Sequence, residues 1–470
     1  MLDMEKVRVL QQVSLGLCRY CRETQTYHLT VSNGTPTVMW TGYAIGERGC
    51  KVASRVPRPR VACITWGLSL KDLTTELVCP ELKQLNFDST FNEVVPRPGV
   101  VSGRLRGYGR CGKRGAGIDR VDWPPGLERL TFGESFNRRV DGMEWPEDLR
   151  HLTFGSDFDQ PVDKVSWPGG LETLIFGRSF NQRVDETKLP ERLRKLCFGD
   201  FFNQRVDRLV WPERLEHVVF GHDFNRVVDG VKWPKGLREL SFGWDFNQAV
   251  ELVLWPAGLS TLKFGTSFNQ PVARVTWPEK LKELWFGYFY DQPFVGVTWP
   301  QGLRHLCLGY HFNQPVDRVK WPTGLEVLAF SKCFNQSLDG VTWPKSLKTL
   351  SFGDDFDQPV DRIVWPEGLM NLVFGISFNH PVTNVAWPKR LMILMFRGDF
   401  NQAVEEMTWP ENLKAVGFGG SFNHPIDRVK WPRDLGVLCF ARSLSKPVDE
   451  VVWPAKLRYV SVEGIVTFLG

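Results

Sequence analysis

The sequence predicts a β-rich solenoid, a stack of 22-residue units with about one short strand each, the strands lying side by side in a parallel sheet. Three observations predict it. A pattern W-P-x-x-L-x-x-L-x-F-G-x-x-F-N-Q-P-V-D-x-V-x recurs every 22 residues from Trp123, without insertion, through 15 full units and a sixteenth that runs to Gly470. Of the 19 tryptophans, 15 occupy its first position, and only Leu189 replaces one. No part of the unit is helix-length, and its apolar residues at positions 8 and 10 alternate with variable ones, the period of a strand with one buried face.

The elements follow in order along the unit. Trp-Pro-x-Gly at positions 1 to 4 reads as a turn with Pro in second place, and seven units have Gly in the fourth. The strand centres on position 8, and Gly at position 11 ends it. V-D-x-V-x-W reads as a second extended piece. Such a unit cannot bury its own apolar face, but stacked neighbours can, so positions 1, 5, 8, 10, 14 and 18 are expected in the core. The Asn column at position 15 (Asn137, Asn181, Asn203, Asn225, Asn247) is expected to form a ladder whose amides satisfy the turn backbone of the next coil. The Asp column at position 19 (Asp141, Asp163, Asp185, Asp207) receives the same reading.

Domain organisation is read as follows. Residues 1–70 share no phase with the array; Val7–Leu17 suggests a short helix, and Tyr27–Trp40 a strand pair turning at Asn33-Gly34. Residues 71–95 hold one degenerate unit, Leu82-Lys83-Gln84-Leu85-Asn86-Phe87. Residues 96–120 are a Gly/Arg-rich insertion, expected to be mobile and cut first by proteases. Residues 121–470 are the solenoid, whose last segment, Val462–Leu469, offers no polar cap.

The array resembles the FNIP repeat, a 22-residue relative of the leucine-rich repeats; L-x-x-L-x-F-G-x-x-F-N-Q-P-V carries the likeness, and Phe268-Asn269-Gln270-Pro271-Val272 shows it without departure. Trp-Pro stands where many such repeats have Leu-Pro, the form Leu189-Pro190 keeps. The resemblance implies a right-handed, leucine-rich-repeat-like stack. It also implies an F-box docking onto a ubiquitin ligase, but residues 1–60 lack that module's Leu-Pro start and amphipathic helices.

Composition excludes several classes. No run of 18 apolar residues exists, so no transmembrane helix is expected. Met1–Lys6 lacks a secretory n-region, and 10 Cys in no paired pattern suit a reducing compartment, so a cytoplasmic, or else nuclear, location is expected. Net charge is +5, with +8 in residues 1–120 and −3 in the rest. The N-terminal quarter, through Arg104, Arg106, Arg110, Lys113 and Arg114, is therefore the arm that would attract nucleic acid. Gly107–Lys113 mimics a phosphate loop but has neither the strand before nor the helix after it that such a loop needs. Cys18-x-x-Cys21, with His28 and Cys50, is read as ordinary thiols because no second CxxC or HxxxH accompanies it. Cys197, Cys307 and Cys439 stand several coils apart, too far to bridge. No nucleophile–base or paired-carboxylate arrangement stands outside the repeat, so neither an enzyme, a small-molecule substrate, a metal nor a cofactor is expected.

What remains is a non-catalytic protein-interaction scaffold, with a ubiquitin-ligase adaptor or a nucleic-acid-associated protein as alternatives. Partners are expected where units differ on the exposed side of the strand, at positions 7, 9 and 12. Trp244 and Trp285 break the tryptophan pattern there, with Tyr288, His305 and Tyr310 nearby, and these five are expected to form one surface within about 20 Å. Met370, Met392, Ile393 and Met395 form a second, apolar candidate.

Overall fold

A computed structural model describes residues 126–441 without a break, together with 27–32, 35–40, 43–44, 61–66, 83–87, 89, 123, 451–462 and 465–468. The helix expected at Val7–Leu17 and the Gly/Arg-rich insertion lie outside the described residues. The chain divides into two compact units, Met1–Phe202 and Asn203–Gly470. The boundary falls inside the 22-residue array, which the sequence alone treated as one domain.

In the first unit β1 (Tyr27–Ser32) and β2 (Thr35–Trp40) pair antiparallel, with Ser32 opposite Thr35; the turn expected at Asn33-Gly34 lies outside the described residues. β3 (Tyr43–Ala44) pairs antiparallel with β2. β4 (Val61–Trp66) runs parallel to β1 and also to β5 (Gln84–Phe87), Ile64 opposite Leu85. Parallel stacking thus begins two rungs earlier than the repeat pattern can be read. β5 belongs to the degenerate unit; it pairs with β6 (Arg129–Thr131), Leu85 opposite Leu130, followed in parallel by β7 (His151–Thr153), β8 (Thr173–Ile175) and β9 (Lys195–Cys197).

The second unit runs from β10 (His217–Val219) through β11 (Glu239–Ser241), β12 (Thr261–Lys263), β13 (Glu283–Trp285), β14 (His305–Cys307), β15 (Val327–Ala329) and β16 (Thr349–Ser351). It continues through β17 (Asn371–Val373), β18 (Ile393–Met395), β19 (Ala415–Phe418), β20 (Val437–Phe440), β21 (Tyr459–Val462) and β22 (Ile465–Phe468). From β10 to β21 every neighbour is parallel and in register, as with Leu240, Leu262 and Leu284. β22 turns back antiparallel onto β21. No helix occurs among the described residues.

Within a coil the strand takes positions 7 to 9, centred on position 8 as expected. Three turns bend the rest, each closed by a main-chain bond from its fourth residue to its first: Leu259 to Pro256 at 3.0 Å, Phe268 to Gly265 at 3.2 Å and Val275 to Val272 at 3.2 Å. Two readings are corrected here. The first turn begins at Pro, not Trp, so Gly falls on its third residue. The V-D-x-V piece is a turn and not a second strand. That turn aims position 21 inward: Val253 and Val275 are buried, a column the expected core omitted.

The core matches expectation at the other positions. Leu259, Leu262 and Phe268 are wholly buried, Phe264 nearly so. The phenylalanines of positions 10 and 14 zip together, Phe264 lying 3.9 Å from Phe268 within its coil and 5.9 Å from Phe242 of the coil before. Parallel rings at such spacings add to the area they bury. The tryptophans form a more peripheral column: Trp299 and Trp343 are buried, whereas Trp145 and Trp255 are half-buried.

Glycine at position 11 does more than end the strand. A Cβ on Gly265 would lie 1.4 Å from the Gly243 carbonyl oxygen, so the coils approach there more closely than a side chain allows. Ser331, Arg397, Ala441 and Glu463 interrupt this column.

The Asn ladder is present. Asn137 Oδ1 accepts the Asp159 N–H at 3.0 Å and the Gln160 amide at 2.8 Å; Asp159 in turn accepts the Asn181 N–H at 2.9 Å. Asn247, Asn269 and Asp291 repeat the arrangement in the second unit. Position 19 carries ion pairs within a coil at three of its four named aspartates. Asp141, Asp185 and Asp207 bind Arg139, Arg183 and Arg205, two residues earlier in the same turn. An arginine so close along the chain meets the carboxylate without crossing to another coil.

Candidate partner-binding surface

Side chains at positions 7 and 9 of the strand, and 12 and 13 just beyond it, line the outward face of each coil. In most coils these are small or charged. The second unit departs from this between the coils that begin at Trp211 and Trp321. Position 12 there reads His222, Trp244, Thr266, Tyr288, Tyr310 and Lys332 in successive coils.

Trp244 is 52% exposed, and Trp285 and Tyr288 are each 41% exposed; His305 and Tyr310 are half-buried. Tyr288 and Tyr310 stack face to face, with centroids 4.2 Å apart. The Lys332 ammonium sits 5.4 Å from the Tyr310 ring and is held charged by its bond to the Tyr310 hydroxyl, which raises its pKa. The Tyr288 phenol is raised too, first by desolvation and then by its bond to Tyr310, so it stays neutral. Trp285 and Tyr288 line one open cavity of about 450 Å³ with Lys263, Thr266 and Phe286.

The five expected residues are thus not equally joined. Trp285 and Tyr288 meet at the cavity, and Tyr310 joins them through its stack on Tyr288. Trp244 stacks instead on His222, at 5.1 Å, and Thr266 separates it from Tyr288 in the column. His305, on β14, lies 3.7 Å from the Glu283 carboxylate of β13.

Sequence reading missed two members. Phe289 is 46% exposed and stacks on His311 at 5.3 Å, edge-on to Tyr288. The signal was present but masked: in Tyr288-Phe289-Tyr290-Asp291 the eye takes Phe289 for the core Phe of position 14, whereas the 22-residue count gives that place to Tyr290. Tyr290 is indeed fully buried, and burial raises its phenol's pKa. In the same coil Phe294 replaces the usual Val of position 18 and is buried.

The thiols beside this surface are not activated. Burial, with a contribution from Glu283, pushes Cys307 up to about 11, and burial, with Asp355, raises Cys333. Both remain protonated at neutral pH. Cys307, Cys333 and Cys439 are free thiols. The second candidate, Met370, Met392, Ile393 and Met395, is half-buried throughout, with exposed Ile376 nearby. The basic arm, Arg104, Arg106, Arg110, Lys113 and Arg114, lies outside the described residues. No helix among the described residues is long and apolar enough to cross a membrane.

Parallel rungs every 22 residues, an inward Leu/Phe core and an Asn ladder define a leucine-rich-repeat-like β-solenoid. The FNIP Repeat family model matches residues 144–179 and 334–377, two stretches of that same coil. These two stretches are FNIP repeats. The crystal structure of CroV588, described as a novel circular LRR protein, is 30% identical with a TM-score of 0.71; the match covers 85% of this chain and 59% of that one. The chain therefore spans about three fifths of that protein's length. The functional domain of InlJ from Listeria monocytogenes is 12% identical with a TM-score of 0.40, covering 63% of each chain. The internalin inlF from the same species is 13% identical with a TM-score of 0.37, covering 69% of this chain and 83% of that one. None of the curated proteins matches the chain.

Proposed function

We propose that the chain is a non-catalytic protein-interaction scaffold that holds its partner on the outward face of its second unit, through Trp285, Tyr288 and Tyr310 with Trp244 and His305 at the flanks. The observation that carries the reading is the concentration of exposed rings in neighbouring coils, beside an open cavity. Exposed aromatics of this kind are typical interface anchors, because they bring large contact area at low conformational cost. The protonated thiols support a binding role over a nucleophilic one.

The test is the double change Trp244→Ala with Trp285→Ala in the full chain. Partners recovered with the wild type are quantified against the variant, and both are melted. Loss of the main partner, corresponding to about 2–4 kcal/mol per anchor, with an unchanged melting curve is the expected result. Recovery of every partner at wild-type levels would refute the assignment and shift attention to the Met370–Met395 face.

A further inference from the structure

The composition pointed to no metal, yet the fold gathers a set of metal donors that the chain keeps apart. His222 and Asp223 lie in the turn that follows β10, and Asp245 holds the place of Asp223 one coil later. The His222 carbonyl accepts the Asp245 N–H at 2.8 Å, which locks the two loops together. One imidazole nitrogen and one oxygen from each carboxylate then lie within 4.8 Å of one another. The His222 Nδ1 already faces Asp223 Oδ1 at 2.8 Å.

We propose that His222, Asp223 and Asp245 form a binding site for a divalent first-row transition ion, with zinc as its representative. Three observations on the page converge on it. The donor set is mixed: an imidazole nitrogen suits zinc, nickel or iron, whereas calcium and magnesium take oxygen alone. The ring is oriented, because Trp244 stacks on it at 5.1 Å with the planes 23° apart, leaving its rotation restricted while Nδ1 points at the carboxylates.

The charge is also uncompensated. Three other acids of this unit are bridged by cations from neighbouring coils: Glu326 by Arg304 and Lys348, Asp434 by Lys414 and Lys456, Glu239 by Lys263. Among the described residues no Lys or Arg pairs with Asp223 or Asp245; His222 alone faces Asp223. Two carboxylates held one coil apart repel each other, and a dication relieves that repulsion more fully than an imidazole can.

The fit to the ion is direct. Ligands at 2.0–2.2 Å around a tetrahedral zinc stand about 3.4 Å apart. Contraction from within 4.8 Å to that spacing needs only side-chain rotation at an exposed histidine and two half-buried carboxylates. Three protein ligands leave a fourth position for water.

The experiment is calorimetric titration of the chelator-stripped full chain with zinc chloride, and separately with calcium chloride, alongside His222→Gln, Asp223→Asn and Asp245→Asn. It reads metal binding directly and does not depend on the partner surface. The wild type is expected to bind one equivalent of zinc that each variant loses, or holds at least about tenfold more weakly, with melting curves of metal-free wild type and variants superimposed. Calcium should show no such equivalent. Equal zinc stoichiometry and affinity in wild type and all three variants would overturn the site, as would calcium binding there as tightly as zinc.

Discussion

Asn247 Oδ1 accepts the main-chain N–H of Asn269, the residue in the same place one coil later, at 2.9 Å. Asn269 passes the same bond on to Asp291 at 3.0 Å and takes the Gln292 amide at 3.1 Å. The ladder therefore closes turn donors that stacking would otherwise bury unpaired. Asn269→Ala should cost about 1–3 kcal/mol, because it removes the acceptor and leaves the Asp291 donor behind. Hydrogen exchange measured along the chain should show faster exchange at Asp291 than at the equivalent Asn335, whose acceptor Asn313 is intact. Equal protection of both amides would show that water replaces the ladder without loss.

Trp299 stacks on Trp277 at 6.5 Å and meets Phe294 edge-on at 5.1 Å. It is only 8% exposed. Trp299→Ala should cost about 3–5 kcal/mol locally, since two coils lose a packing partner and the cavity closes only in part. Thermal unfolding followed by near-ultraviolet circular dichroism reads this, and an unchanged transition would count against the stacked column.

Two glycines should respond in opposite directions. Gly265→Ala places its methyl group on the Gly243 carbonyl and forces the coils apart, at about 1–3 kcal/mol or more. Gly169→Ala meets nothing within 4 Å and should be neutral or stabilising by up to about 1 kcal/mol. Denaturant melts of the two variants decide the matter; equal midpoints would contradict the close approach at position 11.

Asp434 joins Lys414 at 2.8 Å and Lys456 at 2.5 Å, and these bonds lower its pKa to about 2. A carboxyl depressed on folding stabilises above its unfolded pKa, near 3.9. That contribution falls away as pH drops through the folded value. The wild type should therefore exceed Asp434→Asn in stability at pH 5, and the gap should close between about pH 4 and pH 2. The carboxylate is only half-buried at the surface, so the gap should also shrink in high salt. A gap that is constant across this pH range would exclude the pairing as its source.

Much of the fold could be read because the unit repeats. A column such as Leu240, Leu262 and Leu284 is one residue type at one spacing, and no tertiary information is needed to place it inside. The Asn ladder was legible for the same reason: polar residues kept at a turn in every coil need neighbours of their own kind. The exposed aromatics were legible as departures, since Trp244 and Trp285 violate a rule that fifteen others obey. Phe289 was not, because it sits beside a residue that satisfies the rule.

The sequence by itself determined the 22-residue coil, its strand at positions 7 to 9 and the columns that fill its core. Periodicity alone carries these, since a strand's alternation and an invariant spacing leave one way to stack. Tertiary structure decided what depends on the direction in which a turn sends a side chain. The V-D-x-V turn buries position 21, and Asp207 is drawn to Arg205 instead of the next coil. The loop bond between Asp245 and His222 brings an imidazole and two carboxylates together from residues 22 or 23 apart in the chain. Spacing says which residues recur; only the bend of the backbone says which of their atoms can meet.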